Sequence, residues 1–98
     1  YLLALSRLGV AARRAVAFED SAIGVTAAKA AGLLTVATPS DWTRGQDFAA
    51  ADLVLPCLAD PGSPLAAADA WRIGAPCLGL EQLAIFHAAT PPRVANSA

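Results

Sequence analysis

Methionine is missing from this 98-residue sequence, and histidine occurs once, as His87. With no Met, an abrupt apolar opening at Tyr1-Leu2-Leu3 and no basic-then-apolar leader, the expectation is a fragment without a secretory signal. Cysteine is scarce: Cys57 and Cys77 stand 20 positions apart, outside any CxxC pair. That spacing argues against a zinc site. Nothing points to an oxidising compartment, so both are expected as reduced, structural residues of a cytoplasmic protein. His87 has no acid or cysteine next to it and reads as a helix-surface or packing residue. No apolar run approaches the roughly 18 residues that a membrane span needs. A surplus of one charge is also lacking, the net charge being −1, which leaves no electrostatic footprint for nucleic acid or an anionic membrane. Trp42 and Trp71 are isolated and make no stacking platform for single-stranded nucleic acid. Glycine-rich phosphate loops and internal repeats are absent as well.

Hydrophobic residues are plentiful at 56%, but 25 of them are alanine, each of which buries little area. The length allows one small domain, which buries roughly 60–70% of its unfolded surface. Its organising stretch runs from Ala15 to Gly32. Ala15-Val16-Ala17-Phe18 is a short apolar run of the kind expected for a strand buried on both faces. Glu19 and Asp20 follow where the run stops, and Ser21 is placed to cap the next helix through its side-chain oxygen. Gly24, Ala28 and Ala31 recur at i, i+4 and i+7, a narrow face able to press the helix backbone against a sheet. Lys29 lies off that face and reads as a surface charge. Gly32 supplies the left-handed position that ends the helix.

Residues 1–8 read as a helix with Leu2, Leu5 and Leu8 at a spacing of three and Gly9 as its stop. Arg13 and Arg14 are a solvated lead-in. Residues 33–37 form a second strand, so strand, helix and strand follow one another as in a parallel crossover unit. The segment from Thr38 to Gly45 is a loop by its Pro, Ser, Asp and Gly content. It lies on the sheet edge of Asp20, where Thr38, Ser40 and Arg44 can approach a phosphate. Residues 46–51 read as a short helix or turn, and 53–55 as a third strand. The stretch 60–64 is a turn-rich linker. Leu65 to Trp71 is helical and interrupted by Gly74-Ala75-Pro76. Residues 80–89 form a closing helix with Leu80, Leu83 and either Ala84 or Phe86 inward. The expected division is 1–58 as a core portion, 59–89 as a closing segment, and 90–98 as a disordered tail.

In an open α/β sheet, ligands bind beyond the carboxyl ends of the strands, where Glu19 and Asp20 fall. Both are hard oxygen donors suited to Mg²⁺, which usually takes one or two protein carboxylates plus water and phosphate. Asp20 is the better direct ligand, with Glu19 beside it or acting through water. A solvated loop start with a helix cap accounts for the same residues on spacing alone.

The run from Phe18 to Gly32 resembles the fourth motif of the haloacid dehalogenase superfamily, in its phosphatase and β-phosphoglucomutase-like (CbbY-like) branch. Phe18, Glu19, Asp20, Ser21, Gly24, Ala27, Ala28, Ala31 and Gly32 fall where that pattern puts them. Tyr1 to Val10 is similar to the segment after the family's third motif, and Thr38 through Leu55 to its core closure, so the resemblance covers roughly residues 1–60. It implies an incomplete, C-terminal portion of a Rossmann-like parallel-sheet core with three α/β/α layers. It also implies Mg²⁺ held by Asp20 and Glu19, with Ser21 behind them. The implied whole protein is a hydrolase acting on a small, sugar-type phosphate. In that family an aspartate attacks the phosphoryl group, a second aspartate two positions on acts as acid/base, and a lysine steadies the phosphate. Here the aspartates stand at 20, 41, 47, 52, 60 and 69, with no Asp-x-Asp pair, and Lys29 lies inside a helix. The expectation is therefore a chain that binds metal and is inactive alone. Two alternatives remain open: a non-enzymatic remnant that needs a partner fragment, and a receiver-like α/β signalling module.

Overall fold

The computed structural model describes residues 1–90. Four helices and three strands run in the order α1 (Leu2–Leu8), β1 (Val16–Glu19), α2 (Ala22–Ala30), β2 (Leu34–Ala37), β3 (Leu53–Val54), α3 (Ala67–Ile73) and α4 (Leu80–Ala89), with a short 3₁₀ turn at Ala12–Arg14 between α1 and β1. The strands form one parallel sheet in the order β1-β2-β3, with Val16 opposite Leu34 and Val36 opposite Leu53. The fold is thus the incomplete α/β sheet expected. Strand residues alternate between faces. Ala17, Ala37 and Val54 turn to α2, where Val25, Ala28, Leu33 and Phe48 meet them and Leu5 of α1 packs alongside. Val36, Leu53 and Leu55 turn the other way onto Leu65, Leu78, Ile73, Leu83 and Phe86. Two helical layers therefore enclose the sheet, and fully burying a side chain such as Leu55 or Val36 stabilises the fold by about 1.5–3 kcal/mol.

The ends of α2 are set by local chemistry. Ser21 has extended backbone, and its Oγ accepts the Gly24 N–H at 3.1 Å. At the other end Gly32 adopts φ 83°, the Gly32 N–H donates to the Lys29 carbonyl at 3.0 Å, and the Leu33 N–H donates to the Ala28 carbonyl at 3.1 Å. This pair of bonds is the Schellman closure that a C′ glycine permits. Gly9 and Gly74 end α1 and α3 in the same left-handed conformation.

Several expectations are corrected. β1 is an edge strand and is not buried on both faces: Val16 packs against the cluster of Val36, Leu53, Leu55, Leu65 and Leu78, whereas Phe18 is 43% exposed. Of the leucines in α1 only Leu5 packs, while Leu2 and Leu8 are exposed. In α4 Leu83 and Phe86 point inward, whereas Leu80 is exposed. The buried face of α2 centres on Val25 and Ala28, and Gly24 faces the Glu19 side chain. Residues 46–51 make turns, one of the two forms expected for them, and bury Phe48. Lys29 is no surface charge: its Nζ bonds Asp52 Oδ2 at 2.7 Å and the Leu33 carbonyl at 3.0 Å. The same Asp52 oxygen accepts the Thr35 N–H at 2.8 Å, so the end of α2 and the starts of β2 and β3 converge on one carboxylate.

In the C-terminal segment Asp60 Oδ1 accepts the N–H groups of Gly62 and Ser63, which forms the expected turn. Arg72 of α3 donates to the Val54 carbonyl at 3.2 Å, tying that helix to β3. His87 Nε2 bonds the Arg13 carbonyl at 2.8 Å, a packing role. Cys57 is exposed and Cys77 half-buried, both as free thiols. The tail expected at 90–98 lies, from 91 on, outside the described residues. Among the described residues no helix is long and apolar enough to cross a membrane.

Candidate functional site

β1 delivers Glu19 and Asp20 to the carboxyl edge of the sheet. Parallel pairing continues one step beyond the strand, because the Thr38 N–H donates to the Glu19 carbonyl at 2.8 Å. The backbone after β2 is thereby fixed beside the acidic pair. Asp20 is exposed and makes no side-chain hydrogen bond or ion pair among the described residues. Glu19 is half-buried and occupied: its Oε1 accepts a hydrogen bond from the Tyr1 hydroxyl, and its Oε2 lies over the α-carbon of Gly24. Burial first, then the hydrogen bond and negative charge of Glu19, raise the Tyr1 hydroxyl from 10.0 to about 12. Tyr1 therefore stays a protonated donor throughout the neutral range.

Ser21 sits directly behind the pair as the cap of α2. The Ala22 N–H is taken by Gln46 Oε1 at 2.8 Å, which ties the 38–46 loop to the start of that helix. Within the loop, Ser40 is turned inward: its N–H donates to Thr43 Oγ1 at 2.9 Å, and its Oγ accepts the Trp42 N–H at 3.2 Å. Arg44 pairs with Asp41 at 2.5 Å in solvent. The structure thus brings Thr38 to the acidic pair and commits Ser40 and Arg44 to contacts inside the loop. A cleft of about 300 Å³, lined by Pro39, Arg44, Phe48, Val54, Leu55 and Pro56, opens beyond the ends of β2 and β3.

Tyr1 and Gln46 are the site residues that sequence reasoning missed. Each reaches the site from 18 and 24 positions away, and no local spacing marks either one. Among the described residues no third His, Cys, Asp or Glu joins Glu19 and Asp20. Two hard carboxylates at a strand end fit a cation that completes its shell with water and phosphate.

Gly24 has a specific use here. A Cβ at this position overlaps Oε2 and Cδ of Glu19. Those atoms are the movable end of a side chain, and alanine is favoured over glycine in a helix by roughly 0.5–1 kcal/mol. Gly24→Ala should therefore leave the melting temperature unchanged or slightly raised while displacing Glu19. Thermal unfolding with and without Mg²⁺ checks this: metal-dependent stabilisation should shrink although the protein without metal is no less stable.

No protein-family model matches the chain. Individual relatives do. The chain is 53% identical over 58 residues to CbbY of Rhodobacter capsulatus and 49% identical over 61 residues to a CBBY-like protein of Arabidopsis thaliana. These matches cover 59% and 62% of this chain but 26% and 19% of the relatives. The crystal structure of CbbY from Rhodobacter sphaeroides in complex with phosphate superposes with a TM-score of 0.56 at 50% identity, over 57% of this chain and 25% of that one. The homologues of this chain are CbbY proteins. The haloacid dehalogenase-like phosphatase resemblance is therefore upheld, and the three-stranded sheet matches part of a CbbY core. A mutant CbbY from Rhodobacter sphaeroides has been crystallised with xylulose-(1,5)bisphosphate. The chain spans about a quarter of the length of the CbbY proteins it matches.

Proposed function

We propose that this chain carries the metal-binding edge of a Mg²⁺-dependent, CbbY-like hydrolase whose full-length form removes phosphate from a phosphorylated sugar in the cytoplasm. The observation that carries the reading is the placement of Glu19 and Asp20. They stand at the carboxyl end of a parallel strand, ahead of a serine-capped helix, in a chain 53% identical over 58 residues to CbbY of Rhodobacter capsulatus. Asp20 is the direct Mg²⁺ ligand, Glu19 the oriented carboxylate beside it, and Ser21 the residue that fixes the helix behind them. Thr38 lies nearest to where a phosphate would sit, with Ser40 further along the loop. Mg²⁺ held by these carboxylates would supply positive charge to offset that on the phosphoryl oxygens.

The test is a Mg²⁺ titration of thermal stability. Metal at about 100 times its dissociation constant stabilises a protein by about 2.7 kcal/mol, and each kcal/mol moves the midpoint of a domain this size by roughly 4–8 °C. The chain should gain that stabilisation, and Asp20→Ala should lose it entirely. An equal response from Asp20→Ala would place the metal elsewhere and remove the reading.

A second reading is favoured by one observation. Glu19 turns its backbone carbonyl toward β2, so by alternation Val16 and Phe18 turn theirs to an edge that meets no strand among the described residues. Such an edge promotes association. On this reading the chain is a remnant that serves only with a partner fragment, and Mg²⁺ has no effect on its stability. The receiver-like alternative needs an acceptor aspartate at another strand end, whereas β2 leads into Thr38-Pro39 and β3 into Leu55-Pro56.

A further inference from the structure

We infer that Tyr1 is a positioning residue for the Glu19 carboxylate. The inference rests on the metal-site reading above and extends it to a residue outside the acidic motif. Tyr1 is the cap of α1, and its carbonyl accepts the Leu5 N–H at 2.9 Å. Leu5 packs on the cluster of Ala17, Ala28 and Leu33 that joins β1 to α2. The start of α1 is thereby held over the end of β1, and the Tyr1 hydroxyl donates to Glu19 Oε1.

The second oxygen lies over α2. Oε2 occupies the space over Gly24 that any side chain at that position would fill. One oxygen is therefore held by a hydroxyl, while Asp20 next to it is exposed and unrestrained. This asymmetry has a chemical consequence. A carboxylate already oriented by a neighbouring donor loses less side-chain freedom when a cation arrives, and removing such a supporting partner typically weakens metal affinity by about 10–100-fold. Tyr1 is the chain's single tyrosine, so no second phenol substitutes for it.

The experiment uses the 98-residue chain with Mn²⁺ as the probe, its free concentration followed by electron paramagnetic resonance. Wild type is compared with Tyr1→Phe, Glu19→Gln, the double variant and Asp20→Ala. Tyr1→Phe keeps the ring, so its melting temperature without metal should match wild type while its Mn²⁺ affinity falls about tenfold. The double variant should bind no more weakly than Glu19→Gln alone, because the hydroxyl acts only through that carboxylate. A purely structural role for the ring moves neither quantity. Wild-type affinity in Tyr1→Phe, or losses that add in full in the double variant, would overturn the assignment of Tyr1 while a loss in Asp20→Ala leaves the metal site standing. Wild-type affinity in Asp20→Ala would overturn the metal site and this inference together.

Discussion

Asp52→Ala should destabilise the protein by about 3–5 kcal/mol, the cost typical of removing one partner from a buried ion pair. The Asp52 side chain is 3% exposed and is the acceptor for both the Lys29 ammonium, at 2.7 Å, and the Thr35 N–H, at 2.8 Å. The Asp52 N–H also donates to the Thr35 carbonyl at 2.9 Å, which sets where β3 begins along β2. Truncation leaves a mostly buried ammonium and the N–H of a fully buried threonine without that acceptor, and each costs free energy in a low-dielectric setting. For a chain of 98 residues, whose whole stability is on the order of 5–15 kcal/mol, this is a large share. Asp52→Asn retains an oxygen for Thr35 but loses the charge, so it should fall between the two. Denaturant unfolding measures the difference as a shift in midpoint at constant slope. Asp41→Ala is the control: its pair with Arg44 lies in solvent, and exposed pairs contribute little. A midpoint for Asp52→Ala equal to that of the control would show that the cluster does not bind α2 to the sheet.

The Lys29–Asp52 pair also shows where sequence reading stops. Helix ends were legible because their signals are local: Ser21 bonds three residues ahead, and Gly32 closes bonds within the turn before it. A pair separated by 23 residues has no such signal, and Lys29 looks like any polar position on a helix until the chain after β2 returns beside it. Periodicity gave α1 and α4 their extents but not their partners. Leu2, Leu8 and Leu80 sit on helical stripes, yet nothing in the described chain covers them, and a stripe records which residues share a face without recording what that face meets. β1 erred in the same direction. Its apolar run fits a strand in the middle of a sheet, and the exposure of Phe18 follows from the lack of a neighbour on one side. At the site, the position of Glu19 and Asp20 was readable because a strand end is a local event. The hydroxyl of Tyr1 and the amide of Gln46 arrive through tertiary packing and left no trace in spacing.

The 98-residue chain should show no Mg²⁺-dependent hydrolysis of a sugar phosphate or an aryl phosphate above the uncatalysed rate. Aspartyl-phosphate chemistry of the kind the family resemblance implies needs a nucleophilic carboxylate close to the metal and in line with the leaving group. Every other aspartate of the chain is engaged elsewhere. Asp41 pairs with Arg44, and Asp47 accepts the Ala49 N–H. Asp52 lies at the amino edge of the parallel sheet, opposite the site, in the Lys29 pair. Asp60 closes a turn in the C-terminal segment, and Asp69 pairs with Arg72. The lone lysine is held by Asp52 and the Leu33 carbonyl, so it supplies no cation to a phosphate at the other edge. Metal binding and turnover should therefore separate in this chain, with Mg²⁺ stabilising the fold through Asp20 while no phosphate is released. Phosphate release should be assayed with wild type and Asp20→Ala prepared in parallel. Turnover present in wild type and absent from Asp20→Ala would show that the chain reaches a nucleophile by some other route; equal traces in both would belong to a contaminant, because a reaction at this edge depends on Asp20.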